Sequence, residues 1–251
     1  MQHLFDHRAG LFRSGDEEGA LRTYPHNWYA VDETEQYRRI HKHFLLTRPL
    51  ISRPGNRYSY SNHGMGMMTL VIPALTGKSY REYAVNDYLR PMGLKGKVRP
   101  QKATQDEHDS LAYNRSGNGV TREPLEASGT GLSAGGWTSS AQGLLAITAQ
   151  LQSRYSYDDI NRMGFHWSEG GKLSHNGSIG GGFAELVLFP DDYDSPSGLS
   201  LEGYHVAVAL NTGNLREDID VRLNALIDFI VRETARANLR GDVDYWNVAW
   251  D

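Results

Sequence analysis

The chain has 251 residues, is 39% hydrophobic and carries a formal charge of −4 at pH 7, so it is long and apolar enough to bury one or two cores and is not a disordered chain. Its 26 Lys and Arg are scattered rather than gathered into a basic stripe, which argues against nucleic acid as a partner. The lack of cysteine removes disulfides, thiolate metal sites and cysteine nucleophiles together.

"MQHLFDHRAGL" has no apolar region behind a basic start and does not read as a secretory signal. Residues 1 to 31, interrupted by Gly10, Gly15, Gly19 and Pro25, read as loop with short helical pieces. In "DETEQYRRIHKHFLL" Tyr37, Ile40 and Phe44 recur at helical spacing behind an acidic first turn, and Pro49 and Pro54 follow its end. A second helix is expected from Asn62, with Met65, Met68, Val71 and Leu75 on one face and a stop at Thr76 and Gly77. "SYRE" at Ser79 to Glu82 matches a capping box and opens a third. From 95 to 137 the chain is polar and Gly-rich without a period, so no regular structure is expected there. Ser139 or Ser140 can then cap a helix that turns Leu144, Ile147 and Leu151 to a core. "FAELVLF" and "YHVAVAL" read as strands joined by a long hairpin loop. "IDVRLNALIDFIVRETARA" closes the order as an amphipathic helix with Ile219, Leu223, Leu226 and Ile230 on its inner face. No run reaches the roughly 18 apolar residues of a membrane span. Helices first, then an antiparallel meander, then a helix give an α/β (α+β) arrangement.

Two clusters invite chemistry. In "PGNRYSYSNHGMG" the residues Tyr60, Ser61 and Asn62 stand between a Pro-Gly turn and the second helix. They serve either as helix caps or as an active site, and the residues alone leave both open. "HLFDH" sets His3 and His7 four apart around Asp6, near the H-x-x-E-H zinc signature, so a metal hydrolase is a third reading beside enzyme and binding protein. His41 and His43 are expected to be solvated on their helix.

Several separate stretches, in order, resemble the serine β-lactamase and penicillin-binding-protein-like superfamily, especially its class C β-lactamase, D-aminopeptidase and esterase branch. "HLFDHRAGL" resembles "HLLTHTSGL" and "PGNRYSYSNHGMGMM" resembles "PGxxFxYSNxGYxLL". "TGKSYREYAVNDYLRPMGL" is similar to "TGxSYxEYxxxxIxxPLGM". "SAGGWTSSAQGL" resembles "AAGGLxSTAxDL", and "GFHWSEGGKLSHNGSIGGGFAEL" resembles "GxGW…HTGxxPGFxS". The resemblance implies a β-lactamase-like fold over 1–236, mainly helical over 1–165 and sheet plus C-terminal helix over 166–236, with 237–251 a tail of unassigned role. It also implies a periplasmic or secreted location, a small-molecule or peptide substrate, and neither cofactor nor metal.

The related class A motifs are S-x-x-K, S-D-N and K-T-G. The second reads Tyr60-Ser61-Asn62 here and the third His175-Asn176-Gly177, but no serine is followed three residues later by lysine. Because that motif precedes "HLLTHTSGL" in the family, the expectation is an N-terminally incomplete chain lacking the first strands and the nucleophile helix. The outer strand of the meander would then be left as an edge. By the resemblance, Tyr60 shuttles the proton of the nucleophile and Asn62 holds lysine and substrate amide. His175 stands where the family has a lysine, which exchanges a fixed charge for a group mostly neutral at pH 7. Gly177 lets substrate lie against the strand, and Ser178 N–H supplies an oxyanion donor. Trp167 walls the cleft, or else is an ordinary buried aromatic.

Overall fold

The structure is a computed structural model, and it describes residues 1–12, 33–100, 110–116, 119–123, 133–168, 171–179, 181–190, 201–213 and 217–237. It divides into two compact units, neither of them one continuous stretch. The first comprises Met1–Asp109, Pro124–Gly143 and Arg162–Gly164; the second comprises Ser110–Glu123, Leu144–Asn161 and Phe165–Asp251.

In the first unit a short helix α1 (Gln2–Phe5) precedes α2 (Glu33–Thr47). The helical spacing of Ile40 and Phe44 does what the sequence suggests: both are buried, and with Phe12 they form a small core. The side chain of Tyr37 lies outside the described ones. The second expected helix is two, α3 (Asn62–Gly66) and α4 (Met68–Thr76), joined at Met67. Met68 is buried, but Leu75 is 72% exposed. The apolar face therefore ends a turn before the helix does, and Gly77 closes it at φ +70, a left-handed cap that glycine adopts without strain. Ser79 Oγ accepts Glu82 N–H at 3.1 Å and starts α5 (Tyr80–Tyr83), which continues as a π-helical turn over Ala84–Leu89.

The stretch from 95 onward is more regular than its composition suggests. Strand β1 (Val98–Pro100) pairs antiparallel with β4 (Trp137–Ser139) in the first unit. In the second unit β2 (Ala112–Ser116) pairs antiparallel with β3 (Gly119–Glu123). Strands this short carry too few residues for an alternating pattern to emerge, which is why periodicity missed them.

The second unit is built on a four-stranded antiparallel sheet, β5 (His166–Trp167), β6 (Leu173–Ile179), β7 (Gly182–Leu188) and β8 (His205–Leu210), in that order. "FAELVLF" and "YHVAVAL" supply β7 and β8, while most of the expected loop between them, 191–200, lies outside the described residues. After β8, β9 (Thr212–Gly213) pairs parallel with β2. Among the described residues β8 stands at the end of its sheet.

Both faces of this sheet are covered. On one, α6 (Ala141–Gln152) and α7 (Tyr157–Arg162) bring Leu151 and Ile160 against Phe165, Leu173 and Leu188. Ser140, not Ser139, caps α6, its Oγ accepting Gly143 N–H at 3.1 Å, while Ser139 Oγ donates to Lys97 O at 2.9 Å. On the other face α8 (Glu217–Arg236) sets Ile227 and Val231 against Val187, Phe189 and Leu201.

The inner face of α8 is not the expected one. Leu226 and Ile230 are 51% and 48% exposed, while Ile227 and Val231 are 1% and 2% exposed; the side chains of Ile219 and Leu223 lie outside the described ones. The helix carries two apolar stripes one residue apart, and periodicity cannot choose between them. The rotation that puts the 227/231 stripe on the sheet also brings Lys172 Nζ, beside β6, to 2.6 Å from Asp228 Oδ1. Among the described residues no helix is long and apolar enough to cross a membrane. This rotation predicts that Ile227→Ala costs about 2–5 kcal/mol of unfolding free energy in urea titrations. Leu226→Ala should stay within about 0.5 kcal/mol.

Candidate active site

In the first unit two distant stretches hold each other by their backbones. Ile51 N–H donates to Gly10 O at 2.9 Å, Gly55 N–H to Arg8 O at 2.7 Å and Ser59 N–H to His7 O at 2.7 Å. At Gly10, with φ +79, any Cβ would lie 2.3 Å from Ser52 O, so only glycine permits the approach. The fourth contact comes from a side chain: Ser61 N–H donates to His7 Nδ1 at 3.1 Å.

This clamp delivers the Tyr60-Ser61-Asn62 motif to the start of α3. Ser61 is buried in extended backbone, and its Oγ accepts Gly64 N–H at 3.1 Å. The cap is therefore Ser61, which leaves Asn62, exposed as the first helical residue, without that duty. Tyr60 is 37% exposed, with its ring 4.3 Å from that of His7 between centroids. The residues of the zinc-like spacing are engaged separately: Asp6 Oδ1 accepts from Gln2 Nε2 at 2.8 Å, His3 lies by Gly55, and His7 Nδ1 faces Ser61.

A pair of imidazoles that sequence reasoning missed lies directly behind the motif. His63, the residue after Asn62, is buried, and its Nε2 is 3.1 Å from His41 Nδ1. Phe12 stacks on the His63 ring at 5.3 Å and Phe44 meets it edge-on at 5.0 Å. His41 is thus half-buried against a partner rather than solvated as the sequence suggested. A hydrogen bond between two imidazoles needs one to accept, so it holds only while at least one ring is neutral. Burial, and secondarily the nearby charge of His41, push His63 down to about 4; burial also lowers His41.

In the second unit the predicted residues share two adjacent strands. His175, Gly177 and Ser178 lie on β6 opposite Leu186, Ala184 and Phe183 of β7, and Trp167 lies on β5 opposite Leu173. Alternation puts His175 and Gly177 on the same face of β6 and Ser178 on the other. A Cβ built on Gly177 would meet nothing within 4 Å, so packing does not demand glycine there. Trp167 is 43% exposed, which removes the buried-aromatic reading. The His175 ring stacks with His166 at 6.3 Å and tilts against Phe165 at 5.8 Å, while the residue keeps solvent contact. Desolvation on that packed side, then the charge of His166, lowers its pKa against a smaller opposing effect of a hydrogen bond to the Asn176 backbone. These effects favour the neutral imidazole of His175 over its charged form.

The family model described as Beta-lactamase matches residues 1–226. Protein flp of Staphylococcus aureus is 28% identical over 76 residues, which span 30% of this chain and 15% of that relative's length. The penicillin binding protein from Bacillus halodurans superposes with a TM-score of 0.64 at 16% identity, covering 89% of this chain and 71% of its own. D-amino acid amidase from Ochrobactrum anthropi SV3 superposes with a TM-score of 0.63 at 18% identity, covering 95% of this chain and 72% of its own. At these identities the two structures establish a shared fold.

The buried His63 predicts an acid limb in stability. Its folded pKa, about 4, lies below the ordinary 6.5, so between those values the unfolded chain binds more protons and stability falls as pH falls. The contribution is on the order of 3 kcal/mol at most, present above pH about 6.5 and lost toward pH about 4. Urea midpoints measured across that range should decline in the wild type, and the decline should be shallower in His63→Phe.

Proposed function

Because the chain belongs to the β-lactamase family, we propose that its residues serve acyl transfer through a serine acyl-enzyme on an ester, amide or D-amino-acid peptide. In this reading Tyr60 passes the proton to and from the nucleophile, and Asn62 binds the substrate amide. Neutral His175 holds the third-motif position as a hydrogen-bonding group rather than a fixed cation. Gly177 admits substrate along β6 and Ser178 N–H is an oxyanion donor. The observation that carries the reading is Tyr60: a phenol kept partly in solvent, on a backbone held by hydrogen bonds to a distant stretch, at the family's Tyr-Ser-Asn position. Ordinary core packing has no use for that arrangement.

The chain contains no Ser-x-x-Lys, so in this proposal the nucleophile comes from polypeptide outside this sequence. The same absence favours a second reading, a non-catalytic member that binds such ligands with the same residues. The D-amino acid amidase neighbour supports D-amino-acid amides as the first substrates to try, and the family implies action outside the cytoplasm.

Intact-mass analysis of the complete gene product with a fluorophosphonate or penicillin probe tests the proposal. One acyl adduct on a serine outside residues 1–251 is expected, with Tyr60→Phe lowering turnover by about 100-fold. Saturable ligand binding without adduct or turnover would overturn it in favour of the binding reading. Gly177→Ala should leave stability within about 0.5 kcal/mol, since its Cβ meets nothing. It should raise KM for the same substrate, as read from initial rates.

A further inference from the structure

We infer that His7 is a positioning residue for Tyr60, an inference that rests on the acyl-transfer reading for its catalytic part. Two backbone amides flank Tyr60, those of Ser59 and Ser61, and both donate to this single residue. Ser59 N–H meets the His7 carbonyl at 2.7 Å, and Ser61 N–H meets Nδ1 of its ring at 3.1 Å. The ring also packs on the Tyr60 ring at 4.3 Å and meets Tyr58 edge-on at 5.9 Å. The Tyr60 backbone is thus held on either side and its ring on a third, so the phenol has a fixed origin although it is partly exposed.

Two further features bear on the role of His7. It is 7% exposed, so the Ser61 amide would be left without its acceptor if the ring were removed. It is also, among the described residues, the one non-glycine with positive φ, at +52. A side chain there costs conformational energy that glycine would not. Accepting at Nδ1 requires that nitrogen to be unprotonated, which puts the proton of neutral His7 on Nε2. Asparagine is the natural mimic, because it tolerates positive φ and its Oδ1 can replace Nδ1 as acceptor. Glycine is the complementary control: it relieves the backbone and removes the acceptor.

The test uses the full chain with nitrogen-15 labelling, comparing wild type, His7→Gly and His7→Asn. Imidazole spectra should show Nδ1 as the unprotonated nitrogen. Amide exchange at Ser61 should accelerate about 10-fold in His7→Gly and return to within about 3-fold in His7→Asn, with α2 amides unchanged. Nδ1 found protonated, Ser61 exchange indifferent to His7→Gly, or equal acceleration throughout the first unit would each overturn the inference. In the complete gene product kcat should fall about 10-fold or more in His7→Gly with KM within about 2-fold, and His7→Asn should restore it. Unaltered kcat in His7→Gly would overturn the catalytic part. Absence of turnover in the wild type, with the exchange pattern as expected, would instead remove the acyl-transfer reading and leave the clamp standing.

Discussion

The first unit depends on a backbone clamp between residues 7–10 and 51–61. Four amides of the second stretch donate into the first, and Gly10 allows a separation at which no side chain fits. Backbone amides must find acceptors, and here the acceptors lie more than 40 residues away in sequence. The Tyr-Ser-Asn motif follows from this: the clamp sets the path of the chain, Ser61 converts that path into a helix start, and Tyr60 is left at the rim. The two motif stretches that resemble the family are therefore halves of one structural device.

The strand that carries His175 is held differently. Leu173 and β7 tie β6 into cores on both faces of the sheet, one under α6 and α7 and one under α8. The Lys172–Asp228 pair links the covering helix to the residue that precedes β6. Each buried aliphatic side chain contributes about 1.5–3 kcal/mol, so the strand is anchored by packing. Residues 175–178 of the same strand are exposed.

Three of the described histidines are held toward their neutral form. His63 and His41 share a hydrogen bond among Phe12 and Phe44, and His175 is partly desolvated beside His166. Burial opposes protonation in each case.

The sequence by itself determined the family, the mixed fold, the strands β7 and β8, the Ser79 cap and the motif residues. Each of these is a local signal: a period, a cap or a run of residue types. It could not choose between Ser61 and Asn62 as cap, place His41 beside His63, find strands only three to five residues long, or select which stripe of α8 faces inward. Those outcomes belong to tertiary structure, because they turn on partners distant in the chain. Ser61 needs His7, His41 needs His63, and Asp228 needs Lys172. A hydrogen bond or ion pair across such a separation leaves no period in the sequence, and only the folded chain brings its two ends within reach.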